Sequence, residues 1–455
     1  MEYSSSAQST AVCHVVAMPF PGRGHINPMM NFCKLLASRK HDVLITFVVT
    51  EEWLGYIGAD PKPDNIRFAT IPNVIPPERL KAADFPVFYE AVMTKMEVPF
   101  EQLLDRLHPP VTAVLGDIEV RWAIGVGNRR NISVAAFWTM SATVLSMFHH
   151  FDLHIKHHNS TVDLIEEVNE IAGISSDTVA DLRTIFRRDD SRVLQLALEC
   201  ISEVPRAQYL LFTSVYELEH QIIDTLKTIY PFPIYTIGPA IPYLELKTKI
   251  SNEAENYSRW LDSQPEGSVL YISLGSFLSV SSTQMGEIFA GLQTSGVRFL
   301  WVARGEASKL KADYCSGDMG LVIPWCDQLK VLCHQAIGGF WTHCGWNSTL
   351  EAIYAGVPML TYPLFLDQDT NSRQIVEDWG IGCRVKREAG AEKLVTGEEI
   401  RDVVGRFMDS ESNEGKEIRR KAKEFREICH LATAKDGSSA ANLDAFIKNI
   451  SLCRN

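Results

Sequence analysis

The chain has 455 residues, 46% of them hydrophobic and 22% charged, with a formal net charge of −12. That length exceeds one ordinary core and predicts two or more domains of a globular protein. The acidic balance argues against nucleic acid and anionic membrane surfaces as partners, so any phosphate-bearing ligand has to be held by local dipoles. The ten cysteines include no C-x-x-C pair and several sit inside apolar runs, a usage that fits a reducing compartment. The N-terminal MEYSSSAQST has neither a basic nor a long apolar stretch, and the most apolar early run, Val43–Val49, is too short for a bilayer. A cytoplasmic protein without a membrane span is expected.

In the first half, short apolar runs alternate with amphipathic segments, which predicts a mostly parallel sheet wrapped by helices. The expected strands are Cys13–Met18, Leu44–Val49, Val111–Leu115, Ser133–Phe137, Tyr209–Thr213 and Ile234–Ile237. The first runs into Pro19-Phe20-Pro21-Gly22-Arg23-Gly24-His25-Ile26-Asn27-Pro28, where Asn27 reads as an N-cap and Pro28 as the first helical residue. His25 is then held on a tight turn at a strand's carboxyl end, a place for a general base if a partner fixes its tautomer. Asp117, which follows Val111–Leu115 through Gly116, is such a partner, although an aspartate after a strand is often only a turn residue. His14, inside the first strand, reads as structural. Gly22-x-Gly24-x-x-Asn27 with Glu51 after the next strand half-matches a dinucleotide fingerprint. The third glycine is missing and Arg-Gly-His crowds the phosphate approach, so NAD binding is the weaker reading. The histidines 149, 150, 154, 157 and 158 include i,i+4 pairs but lack the glutamate of a zincin helix, so no metal site is expected.

Glu245–Ser258 is polar with weak periodicity and marks a linker. A second α/β unit follows, with expected strands Val269–Ser273, Phe299–Val302, Leu321–Ile323, Ile337–Thr342 and Met359–Thr361. The run Ile337–Thr342 leads into His343-Cys344-Gly345-Trp346-Asn347-Ser348 and a helix that stops at Gly356-Val357-Pro358. A strand, a glycine turn and a helix opening on small polar residues form a phosphate site, because free N–H groups and the positive end of the dipole point at the turn. Ser348-Thr349-Leu350-Glu351 is also a capping box, and Trp325 and Trp346 also suit a core. Glu414–His430 carries apolar residues at helical spacing, so its charges form a solvated face, and a last helix carries Leu443, Phe446, Ile447 and Ile450 on one face.

The stretch Trp325–Gln368, WCDQLKVLCHQAIGGFWTHCGWNSTLEAIYAGVPMLTYPLFLDQ, closely resembles the signature box of plant family 1 UDP-sugar-dependent glycosyltransferases. Phe137-Trp138-Thr139, Trp260-Leu261-Asp262, Gln264-Pro265 and Ser268–Ser276 are similar to the family too, as are the His25 loop and Asp117. The resemblance implies an α/β protein of the GT-B type, with two Rossmann-like domains facing across a cleft and a C-terminal helix packing back on the N-terminal domain. The expected division is 1–243 for the acceptor, 244–258 as linker, 259–435 for the UDP-sugar and 436–455 as returning helix. It implies His25 and Asp117 as the catalytic pair. On the donor side it implies Thr139 and Ser276, Trp325 stacked on uracil with the Cys326 backbone at its edge, Gln328, and His343, Gly345, Asn347 and Ser348 at the diphosphate. Glu351 would hold the ribose, and Trp346, Asp367 and Gln368 would line the sugar. Four residues depart from the family's usual pattern: Cys326, Asp327, Tyr362 and Leu366.

The implied reaction is inverting transfer of a hexose, glucose by the resemblance of Gln368, to a hydroxyl of a small lipophilic acceptor. UDP-sugar is then a co-substrate, no cofactor or metal is implied, and a monomer is expected. A non-catalytic nucleotide-sugar-binding protein and an NAD-dependent oxidoreductase are the alternatives. The presence of both His25 and Asp117 speaks against the first, and the incomplete glycine fingerprint against the second.

Overall fold

A computed structural model describes residues 13–158, 191–247, 255–275, 280–303, 319–385 and 394–452. Two parallel sheets organise it. The first contains β1 (Cys13–Met18), β2 (Val43–Thr50), β3 (Ile66–Ile71), β4 (Ala113–Asp117), β5 (Ser133–Trp138), β6 (Tyr209–Phe212) and β7 (Ile234–Thr236), in the order β3-β2-β1-β4-β5-β6-β7. The second contains β8 (Val269–Ser273), β9 (Arg298–Val302), β10 (Gly320–Ile323), β11 (Ile337–Thr342), β12 (Met359–Thr361) and β13 (Gly382–Arg384), in the order β10-β9-β8-β11-β12-β13. Both orders reverse direction at one place, between β1 and β4 and between β8 and β11. In open α/β sheets ligands bind beyond the carboxyl ends of the strands at that reversal.

The central strands are apolar on both sides because helices cover both sheet faces. Val16 and Met18 of β1 enter one core cluster while Val15 and Ala17 enter another, the period of two that a strand imposes. Tyr271 of β8 and its neighbours Leu270 and Ile272 divide in the same way across the second sheet. The strands β3 and β13 were not expected, and both lie at sheet edges.

The last helix, Ser438–Leu452, seats Leu443, Phe446 and Ile450 in the same cluster as Val15 and Ala17 of the first sheet. Asn442 Nδ2 donates to the Thr236 carbonyl at 3.1 Å, and Phe446 lies 5.9 Å from Phe32 and 5.8 Å from Tyr209, ring centre to ring centre. The two halves also meet at Glu219. This buried carboxylate accepts from the backbone N–H groups of Ala142 and Thr143, both at 3.0 Å, and so caps the helix Ala142–His158. Gln374 from the second half donates to Thr143 Oγ1 at 2.9 Å and reaches Glu219 at 3.3 Å. Among the described residues no helix is long and apolar enough to cross a membrane.

Candidate active site

The helix after β1 runs Arg23–Arg39, with Gly22 at its N-cap, and so starts earlier than the expected Asn27–Pro28 boundary. Pro28 lies inside it, and a proline there has no N–H to give the carbonyl four residues before. That carbonyl belongs to Gly24, and Asn347 Nδ2 of the second half takes it up at 2.8 Å. One imino acid thus frees a backbone acceptor for the facing domain. His25 sits in the first turn of this helix, its N–H bonded to the Gly22 carbonyl at 3.0 Å.

Asp117 ends β4 and is buried, with Oδ2 2.9 Å from His25 Nδ1. Its Oδ1 accepts from the Glu119 N–H at 3.0 Å, which fixes the carboxylate plane. A carboxylate at Nδ1 places the proton there and leaves Nε2 free to receive another. Burial pulls the His25 imidazole down, but the charges of Asp117 and Glu119 and the Asp117 hydrogen bond outweigh it, and the net direction is upward. Thr139, whose expected role was on the donor side, is buried with its hydroxyl oxygen 3.1 Å from His25 Nδ1, where it accepts a share of the proton that Asp117 holds there. Here it belongs to the histidine's support.

Across from this loop, β11 delivers His343, and the helix Trp346–Ala355 begins with Gly345 as N-cap. The His343 imidazole is wedged between two glycines. A Cβ on Gly275 would come within 2.9 Å of the ring, and one on Gly345 within 2.5 Å. Gly275 also holds φ +88, a conformation that favours glycine. No carboxylate pulls this imidazole upward, and burial drives it down to about 4. It is neutral at ordinary pH.

Ser348 and Glu351 do not form the capping box that their spacing allows. Gln328 Nε2 instead donates to Ser348 Oγ at 2.9 Å and to Glu351 Oε2 at 2.6 Å, while Tyr271 OH donates to Gln328 Oε1 at 3.1 Å. Burial pushes Glu351 up to about 7. Trp325, which precedes Cys326, is 52% exposed, and Cys326 is buried with Sγ 3.3 Å from Tyr271 OH. The Trp346 indole lies in the core, 6.2 Å from the Trp379 ring centre, so it does not face the cleft as the sugar-lining expectation required. Gln368 Oε1 accepts from the N–H groups of Leu364 and Phe365 at 2.8 and 3.0 Å, and Asp367 accepts from Asn371 Nδ2 at 2.7 Å. Burial raises Asp367 to about 6, and among the opposing influences is the positive field of His25. Asp367 and Asn347 therefore bring the second half up to the His25 loop. Ser276 lies outside the described residues.

The histidine run in the helix Ala142–His158 is spoken for locally: His149 Nδ1 meets Tyr230 OH at 3.3 Å and His150 Nδ1 meets the Ser146 carbonyl at 2.7 Å. The side chains of His154, His157 and His158 lie outside the described residues. Glu119 was not singled out by the sequence, yet its Oε2 is 3.5 Å from His25 Nε2. The available signal was its position two residues beyond Asp117 at the same strand end.

Residues 190–402 match the family model described as UDP-glucoronosyl and UDP-glucosyl transferase. The chain is 56% identical to UDP-glycosyltransferase 87A2 of Arabidopsis thaliana over 440 residues, covering 96% of each. It is 34% identical to 7-deoxyloganetin glucosyltransferase of Catharanthus roseus, covering 98% of each. Its structure is similar to that of Medicago truncatula UGT71G1 complexed with UDP-glucose, with a TM-score of 0.82 at 26% identity, covering 96% of this chain and 98% of that one. A structure of Os79 from O. sativa in complex with U2F and trichothecene gives the same TM-score and identity, covering 96% of this chain and 100% of that one. Its two parallel sheets have the GT-B form of these enzymes, and with more than half its residues shared along nearly its whole length with one of them, the chain belongs to the plant UDP-glycosyltransferases and is an enzyme of sugar transfer.

Proposed function

We propose that the protein transfers glucose from UDP-glucose, with inversion at the anomeric carbon, to a hydroxyl of a small lipophilic acceptor. The observation that carries this reading is the His25–Asp117 contact of 2.9 Å, at a strand end that the opposite domain reaches through Asn347 and Gly24. His25 Nε2 removes the acceptor's proton as the oxygen attacks the anomeric carbon, and Asp117 steadies the imidazolium that forms. The carbon–oxygen bond to UDP breaks on the opposite face. Charge growing on the leaving diphosphate meets the N–H groups at the start of the helix Trp346–Ala355, with Ser276 assigned beside them. With its indole in the core, Trp346 contributes its backbone N–H there, next to Gly345, Asn347 and Ser348.

Trp325 is assigned to the uracil face and Cys326 to its edge, and Glu351, set by Gln328, to the ribose hydroxyls. The hydrogen bonds to Gln368 Oε1 leave its Nε2 to donate to a sugar hydroxyl, next to Asp367. UDP-glucose as donor is supported by the ligand of the similar UGT71G1 structure, and a lipophilic acceptor by the 7-deoxyloganetin and trichothecene named for two relatives. The test is UDP release with UDP-glucose and a panel of phenolic and terpenoid alcohols, with products read by mass spectrometry. An acceptor-dependent gain of one hexose is expected. UDP binding without release on any acceptor or donor would point to the non-catalytic alternative, and heat protection by NAD but not by UDP would point to an oxidoreductase.

A further inference from the structure

We infer that Glu119 is a second anchor for the acceptor, selecting hydroxyl acceptors that carry a hydrogen-bond donor on the neighbouring atom and turning away carboxylic acids. This rests on His25 being the base. Asp117 and Thr139 occupy Nδ1 of His25, so its working nitrogen is Nε2, and the group facing Nε2 is Glu119 Oε2 at 3.5 Å. Only 13% of the Glu119 side chain is exposed. Its backbone is fixed by the bond from its N–H to Asp117, yet among the described residues no hydrogen bond reaches its carboxylate. Lys81 is close enough to act on it through its field, but Lys81 Nζ donates to the Pro21 carbonyl at 2.5 Å and lies 5.0 Å from the centres of both the Phe20 and Phe88 rings.

A hydroxyl bonded to Nε2 enters the same small space as this carboxylate. A second donor on the adjacent atom is then within one hydrogen bond of Oε2. An acceptor that lacks it leaves this carboxylate without a hydrogen-bond donor, and sites of this kind reject such analogues far more strongly than they reject an extra methylene. A carboxylate acceptor meets like charge from Glu119, whose proton affinity the charges of Asp117 and Asp367 already raise. Burial lifts Glu119 to about 7, against the pull of His25, so the test belongs at pH 8 where the group is ionised.

The measurement uses the full chain, UDP-glucose and three matched lipophilic acceptors: 4-tert-butylcatechol, 4-tert-butylphenol and 4-tert-butylbenzoic acid. The wild type is expected to favour the catechol over the phenol by tenfold or more in kcat/KM and to form no ester. In Glu119→Ala the catechol preference collapses toward one, with the loss in the catechol's KM. In Glu119→Gln, which keeps a neutral acceptor of the same shape, the acid becomes a substrate. Equal heat protection of both variants by UDP shows that they are folded. A catechol-to-phenol ratio near one in the wild type, or one unchanged in both variants, overturns the inference. Transfer to either hydroxyl acceptor that is unchanged in His25→Ala overturns the assignment of His25, and this inference with it.

Discussion

His25 and His343 stand at corresponding places, each beyond the carboxyl end of a strand at the point where its sheet reverses order. Their surroundings drive them in opposite directions. His25 has Asp117 at one nitrogen and Glu119 near the other, and its proton affinity rises despite burial. His343 has glycines on both sides, and burial takes it to about 4. One imidazole is equipped to take a proton during turnover. The other remains uncharged beside a helix end whose dipole supplies the attraction for an anion. Residue type alone carries neither role; the neighbours decide it.

The largest expected effect tests the first half of that contrast. His25→Ala should lower kcat/KM by roughly 10²–10⁴-fold, the range for a positioned base, while UDP affinity stays close to wild type. Equal turnover would remove His25 from the chemistry. Asp117→Asn should cost about 10²-fold, because the amide can no longer select the productive tautomer. It should also change the pH profile. The base must be neutral to act, so wild-type kcat/KM climbs with pH through a value above 6.5, and removing the carboxylate that raises it shifts that climb to lower pH. An unmoved limb would mean that the profile reports another group.

Gly275→Ala probes the other side. Its methyl would press on the His343 ring at 2.9 Å from a backbone at φ +88, so UDP affinity should fall by about tenfold as the donor turn shifts. An unaltered dissociation constant by calorimetry would show that the cradle does not set donor binding. A finer test uses uridine, which has no phosphate to titrate. Glu351 lies near 7, and the ribose role proposed for it calls for the ionised form, so uridine affinity should rise a few-fold between pH 6 and 8, and Glu351→Gln should flatten the rise. A rise that persists in the variant would exclude Glu351 as its source. The smallest effect belongs to Pro28→Ala. Restoring an N–H offers the Gly24 carbonyl a partner within its own helix, in competition with Asn347, and should raise the acceptor KM about two- to threefold. A KM equal to wild type would show that this contact does not help assemble the site.

Strands buried on both faces, such as β1 and β4, announce themselves as apolar runs. The edge strand β3 does not, because Arg67, Phe68, Ala69 and Thr70 in its middle are only partly buried, and the three residues of β13 are too few to show a period. The helix start at Gly22 was hidden by Pro28, whose usual place is a helix's first turn. The order of the signature residues exposed the donor turn, but not which partners Ser348 and Glu351 would choose, since Gln328 comes from a different helix. The approach of Thr139 to His25, and Glu119 itself, became legible only once β4 and β5 were set beside the first loop. Local sequence encodes periodicity and turn chemistry, whereas these contacts arise from residues on separate strands.

The closing helix has one further effect. The helix Asn413–Thr433 packs in the core of the second half, and the chain then returns at Ser438 to seat Phe446 under the first sheet. A chain that comes back in this way raises the effective concentration of one half at the other. The contacts from Gln374 to Glu219 and from Asn347 to Gly24 therefore form at a smaller entropy cost than a single connection would allow.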